Sequence, residues 1–296
     1  MREPGRAFVQ SPAFETALAW YFVLVWGSGY VATKAGLADA PPFTFLALRY
    51  AFGLSLLVPA MLWIRPRWPS TTPEWGHVVV AGLLMHAVNL GGSHYAQYLG
   101  MTAGVTALVL AMQPLVTAVV SSRFLGERLA PRQWAGVALG LAGVALVVWH
   151  KIDVRSVTAG SLVGIFISLA AVTAGTLYQR TFCPRADLRS AALVQFAASF
   201  VVLLPAAVAI EGFPVHWSAS LFGAIAYLVI GSSIFGVSAL HTLMRRGHAT
   251  RVTSLLYLTP VVAVALEALL FGVWPSGLTV AGIAIACAGV ALVTRR

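Results

Sequence analysis

Residues 101–148, MTAGVTALVLAMQPLVTAVVSSRFLGERLAPRQWAGVALGLAGVALVV, and residues 247–294, GHATRVTSLLYLTPVVAVALEALLFGVWPSGLTVAGIAIACAGVALVT, align without a gap at an offset of 146 and share 14 identities in 48 positions. Pro114 falls on Pro260, Gly126 on Gly272, Gly136 on Gly282, and the run from Ala142 to Val147 on that from Ala288 to Val293. The same offset pairs Gly29 with Gly175, Pro59 with Pro205, and the basic helix-end residues Lys34 and Arg180. Apolar segments share composition by chance, so a lone match carries little. One ungapped register linking prolines and glycines along the chain marks a duplication.

The duplicated unit is a membrane unit. Of 296 residues, 59% are hydrophobic and 9% charged, whereas soluble domains carry roughly a quarter charged residues. Apolar stretches of helical length run over 14–35, 43–64, 75–94, 102–122, 131–149, 158–179, 190–210, 218–243, 251–271 and 277–294. Each suits a bilayer core that takes about 20 residues per helix. Only helices or closed barrels satisfy the backbone in lipid, and the weak alternation is not that of a barrel. The expected fold is therefore an all-α integral membrane protein of ten transmembrane helices.

The net charge of +10 belongs to loops rather than to one basic patch, which argues against nucleic acid as a partner. With the N-terminus on one side, that side collects Arg2, Arg6, Arg65, Arg67, Arg123, Arg128, Arg132, Arg180, Arg185, Arg189, Arg245, Arg246, Arg251, Arg295 and Arg296. The other receives Lys34, Lys151 and Arg155, and Arg49 lies inside a span. Under the positive-inside rule both termini are expected in the cytoplasm of a bacterial inner (plasma) membrane protein. Arg2 and Arg6 before an apolar run, with Ala38-Asp39-Ala40 after it, resemble a signal peptide. The repeat includes that run as an ordinary helix. Units of five spans each, 1–153 and 154–296, must enter the membrane in opposite senses. Such an inverted repeat is typical of secondary transporters.

Several stretches resemble the drug/metabolite transporter superfamily, in its EamA-type ten-helix group. They are Trp26-Gly27-Ser28-Gly29-Tyr30 with Lys34, Pro41-Pro42 leading to Leu48-Arg49-Tyr50, and Pro114 followed by Leu125-Gly126-Glu127-Arg128-Leu129, Gln133, Gly136 and Gly143. The resemblance covers essentially the whole chain. It implies helices 1–4 and 6–9 around a central cavity, with helices 5 and 10 peripheral. It also implies export of small metabolites, relatives moving amino acids, drugs, riboflavin and nucleotide sugars. The second half departs from the pattern: Val273 follows Gly272, and a glutamate comes earlier, as Glu267.

A charge inside a span marks a functional group or a structural one. Arg49 is expected either to line the cavity and attract an anionic group or to snorkel towards helix-end carbonyls. Glu267 reads as a protonatable coupling group, as the counter-charge of Arg49, or as an interfacial residue. His86 and Asn89, three apart, are expected on one helix face, lining a wet cavity or holding helices together, with His86 also able to relay a proton. Gln113 and Thr259 precede Pro114 and Pro260, and such matched helix breaks point to a transport site or to plain kinks. Trp26, Tyr30, Tyr178 and Tyr257 are candidate substrate contacts as well as core residues, like Tyr95 and Tyr227. Trp63, Trp75, Trp149, Trp217 and Trp274 fit interfacial belts. Gly136, Gly140 and Gly143, with Gly282, Ala286 and Gly289, read as packing seams.

The two cysteines, Cys183 and Cys287, lack metal-ligand spacing, so no metal and no cofactor is expected. The chain has no GxxxxGK[ST] loop for ATP, and no HExxH, GxSxG or paired carboxylates for a lipid-modifying enzyme. Proton-coupled secondary transport of a small-molecule substrate is the leading expectation, with a non-transporting scaffold or sensor as its rival. A homodimer stays open.

Overall fold

The computed structural model describes residues 12–124, 129–153, 157–245 and 256–294. Among the described residues there is no strand, and the helices form ten rods. They are α1 (Pro12–Leu37), α2 (Pro42–Ile64), α3 (72–98), α4 (Ala103–Phe124), α5 (Pro131–Asp153), α6 (Ala159–Phe182), α7 (Leu188–Glu211), α8 (219–245), α9 (256–271) and α10 (Gly277–Thr294). Each expected span has its rod. Residues 251–255 and the motif residues Leu125-Gly126-Glu127-Arg128 lie outside the described residues. Six rods, α2 and α4 to α8, are long and apolar enough by themselves to cross a membrane. Two shorter apolar helices, in α9 and α10, complete the second half.

Helix starts follow local chemistry. Thr71, Thr102, Thr158 and Ser218 each accept an amide of the turn they precede, and Asp187 does so for α7. Gly212 and Gly272, at φ +72° and +67°, end α7 and α9 in the left-handed conformation that glycine adopts without strain. The rods alternate in direction. One end of the bundle, here the Arg-rich end, carries the 65–71 and 183–187 connections. The Arg-poor end carries 38–41, 99–102, 212–218 and 272–276.

The halves are related as an inverted repeat, visible in reciprocal contacts. On α5 and α10, a side chain at Gly136 would strike the Gly289 carbonyl, and one at Gly143 the Gly282 carbonyl. The 146-residue shift exchanges these two contacts. The expected small-residue seam thus joins the two peripheral helices. The loops repeat the relation: at the Arg-poor end Asp39 accepts hydrogen bonds from Ser218 and His216, and at the Arg-rich end Asp187 accepts from the Arg67 amide.

Helical continuity fails at matched places. α4 is interrupted at Ala111–Met112, and Pro114 is the second residue of its outgoing half Gln113–Phe124. Pro260 is likewise the second residue of Thr259–Phe271, after a 3-10 turn at Leu256–Leu258. Both α3 and α8 widen into π-helix mid-span, over Leu83–Val88 and Tyr227–Gly236. The repeat carries 83–88 onto 229–234, so these segments correspond too. π segments occur frequently at functional sites, and this pair was not anticipated.

Candidate transport site

Arg49 lies seven positions into α2, about 10 Å from the Arg-poor end at 1.5 Å per residue. It is buried, 8% exposed. Its Nη2 donates to Ser233 Oγ at 3.2 Å, in the π segment of α8, and its Nε is buried without a partner. Among the described residues no carboxylate pairs with it. The imidazoles of His86 and His94, both on α3, lie in its neighbourhood. One neutral hydroxyl recovers only part of the ~3 kcal/mol or more that a guanidinium costs inside a membrane.

Among the described residues three more buried polar atoms lack partners: the Tyr50 hydroxyl, His94 Nε2 and Gln97 Oε1. Tyr50 stands edge-on to His86 and Phe196, with ring centroids 6.0 and 5.0 Å away, and His94 lies 5.8 Å from Phe45. His86 also lies beside Gln195 of α7, whose Nε2 donates to Gln179 Oε1 of α6 at 3.2 Å. Gln195 is the repeat counterpart of Arg49. His94, Gln97, Gln195 and Ser233 were missed in the sequence, although each is a polar residue within an apolar span.

The expectation that Asn89 shares the face of His86 is corrected. Asn89 Oδ1 accepts from Ser168 Oγ of α6 at 2.7 Å, and its Nδ2 donates to the Met85 carbonyl. The intervening π turn rotates less per residue than an α-helix and so widens the angle between positions three apart, turning His86 towards α2 and α7 while Asn89 pins α3 to α6. Gln113 is half-buried and donates to Thr176 Oγ1 of α6 at 2.9 Å. Thr176, Met85, Gln179, Arg180, Cys183 and Pro184 line a cavity of about 440 Å3 that opens at the Arg-rich end. Gln113 thus lies by the Arg-rich cavity, which Thr176 and Gln179 line, and Gln179 bonds the Gln195 that lies beside His86.

Trp26 packs on Phe22 at 5.1 Å within a cluster of α1, α8 and α9, and Tyr30 lies one turn further along α1, half-buried. A side chain at Gly27 would collide with Val262 and the Thr259 carbonyl, so glycine there lets α1 lie against the break in α9. Tyr178 lies near the Arg-rich end, its hydroxyl 2.8 Å from His77 Nδ1, away from Arg49. Tyr257 is core: it is buried beside Leu108 and Pro260 in an apolar crevice without room for water. The span-end tryptophans are exposed as expected, Trp63 most of all.

Glu267 has Lys34, and not Arg49, as its counter-charge. It is 2% exposed and pairs with Lys34 Nζ of α1 at 2.6 Å. Its two oxygens accept the amides of Ala103 and Gly104, at 3.1 and 3.0 Å, at the first turn of α4. Glu211 does the same for α2, accepting from the Phe43 and Thr44 amides at 2.9 and 2.8 Å and from Thr44 Oγ1. Free amides and the helix dipole favour a carboxylate there. Glu211 was not anticipated. The repeat counterparts of Glu211 and Glu267, at the Arg-rich end, are Arg65 and Ser121. This pair of acidic ties is therefore one-sided.

In the loops, hydrogen bonds from Ser218 and His216 hold the Asp39 carboxyl below its ordinary value, and the Arg189 side chain holds that of Asp187 well below the carboxylate range. Among the described residues no cluster of His, Cys, Asp or Glu could hold a metal ion.

Known proteins fit this architecture. The chain is 28% identical over 262 residues to the "Uncharacterized inner membrane transporter YedA" of Escherichia coli K12, covering 86% of this chain and 81% of that one. It is 29% identical over 288 residues to a "Probable amino-acid metabolite efflux pump" of Salmonella typhimurium LT2, covering 92% of each. A crystal structure with 23% identity superposes at a TM-score of 0.65 over 95% of this chain and 96% of its own, which supports the fold. The model of the EamA-like transporter family matches twice, at residues 14–149 and 158–295. Two matched copies, in the halves that the helix breaks and glycine seams relate, mean that this chain belongs to the EamA-like transporter family.

Proposed function

We propose that the protein is a secondary transporter that exports small metabolites such as amino acids from the cytoplasm by alternating access, coupled to protons. The observation that carries this reading is Arg49, a buried charge without a counter-ion among the described residues, set between π segments inside an inverted repeat. The Arg-poor end is tied by Glu211 and Glu267, while a cavity opens at the Arg-rich end and is lined by Gln179, which accepts a hydrogen bond from the buried Gln195 beside His86. With the Arg-rich end cytoplasmic, as the basic loops favour, this state takes up solute from inside. Exchange of the two related halves then exposes the site to the other side.

Glu267 is the group proposed for proton coupling. A proton there removes the charge that holds Lys34 and the α4 amides, so protonation loosens the Arg-poor end. His86, beside Arg49, is the second candidate.

The test is counterflow in proteoliposomes preloaded with each of the twenty amino acids, with and without a pH gradient. Transient accumulation of at least one labelled solute, altered by the gradient, is expected. Folded protein that moves none of them contradicts the reading.

A further inference from the structure

Arg49 has one Nη committed to Ser233 and a buried Nε with nothing to bind. A guanidinium is a rigid planar fork of donors, matched by the two oxygens of a carboxylate. Among the described residues the surroundings offer no such group: Glu211 and Glu267, at the Arg-poor end, are committed to α2, α4 and Lys34. The nearby side chains are neutral or weakly basic, namely Ser233, Tyr50, His86 and His94. A cluster with one fixed positive charge and no acid disfavours a cation that carries no carboxylate. It also falls short of a phosphate dianion, which calls for a second cation.

Resting on the transporter reading above, we infer that Arg49 docks the carboxylate of the transported solute, restricting the protein to small carboxylate-bearing solutes, zwitterionic amino acids included. Its repeat counterpart Gln195 is neutral, so the two halves of the site differ in charge. The solute's carboxylate lies towards the Arg-poor end, and its remainder faces His86, Gln195 and Gln179.

The test is binding to purified protein in nanodiscs, followed by thermal shift and tryptophan fluorescence. The probes are the twenty amino acids, their carboxamides, short mono- and dicarboxylates, and inorganic phosphate. Every ligand that binds should carry a carboxylate, and its carboxamide should fail. Arg49→Gln should weaken binding at least about thirtyfold, the effect of removing one partner of a desolvated charge pair. Arg49→Lys, tested in case the glutamine variant folds poorly, should recover only part of the affinity. Binding of carboxamides or phosphate as tight as that of carboxylates, no binding by any carboxylate, or a fully active Arg49→Gln overturns the inference. Failure of the two readings is distinguishable. Carboxylate binding lost in Arg49→Gln without counterflow would sink transport and leave the docking role standing, whereas counterflow indifferent to Arg49→Gln would do the reverse.

Discussion

Replacing Glu267 by glutamine should open the Arg-poor end. The wild-type carboxylate makes a 2.6 Å contact with Lys34 and charge-assisted bonds to the Ala103 and Gly104 amides. Glutamine keeps one acceptor, sets its carboxamide NH2, a donor, against the other backbone N–H and releases Lys34. Hydrogen bonds to charged groups contribute about 1.5–3 kcal/mol each. The Lys34 side chain is 29% exposed, so it recovers part of its hydration. A net loss of about 2 kcal/mol remains, or about thirtyfold in a closed-to-open equilibrium. Electron paramagnetic resonance distances between spin labels at Ala38 and Trp274, both exposed at that end, read the change directly. The longer-distance population should rise markedly in Glu267→Gln, and Lys34→Met added to it should change little more. An unchanged distribution in well-folded Glu267→Gln would refute the tie.

Three further outcomes are expected. Gly143→Ala would place a methyl 2.5 Å from the Gly282 carbonyl and the Ala286 amide, backbone atoms that cannot swing aside, so folded yield should drop sharply. Gly76→Ala, with nothing within 4 Å, should be neutral or stabilising by up to about 1 kcal/mol, and thermal denaturation in detergent compares the two. The depressed Asp39 and Asp187 carboxyls bind fewer protons than in the unfolded chain, whose value is about 3.9. Their contribution is complete above that value and is lost as pH falls through their lower folded values, so melting temperature should show their loss only below about pH 4, and less steeply in Asp187→Asn. Reporter fusions after residue 296 and in the 65–73 loop should both report cytoplasm; a periplasmic signal from either would reverse the assigned orientation.

The spans, their punctuation and the duplication were legible because burial in lipid writes them into local composition. Pro114 and Pro260 announced their breaks, since proline removes a helical amide wherever it stands. The π segments carry no such residue. They rotate less per residue than an α-helix, and that underwinding is why His86 and Asn89 part company. Glu211 was invisible because its partners, Phe43 and Thr44, lie over 160 positions away, although an N-terminus beginning Pro41-Pro42 without a capping side chain called for an outside acceptor. Lys34, at the same end of the bundle as Glu267, was the better guess for its partner than Arg49. For Tyr257, an aromatic ring in an apolar span reads alike whether it faces a cavity or the dry core.

One site beside Arg49 should open to one end of the bundle at a time. In a variant with Cys183 and Cys287 replaced by serine, a cysteine at Ser233 adjoins Arg49 and can be labelled by a membrane-impermeant thiol reagent from either face of oriented vesicles. Labelling should come from the Arg-rich face in the otherwise unaltered protein and shift to the Arg-poor face when Glu267→Gln is added. Labelling from both faces at equal rates, or from neither in folded protein, would contradict it.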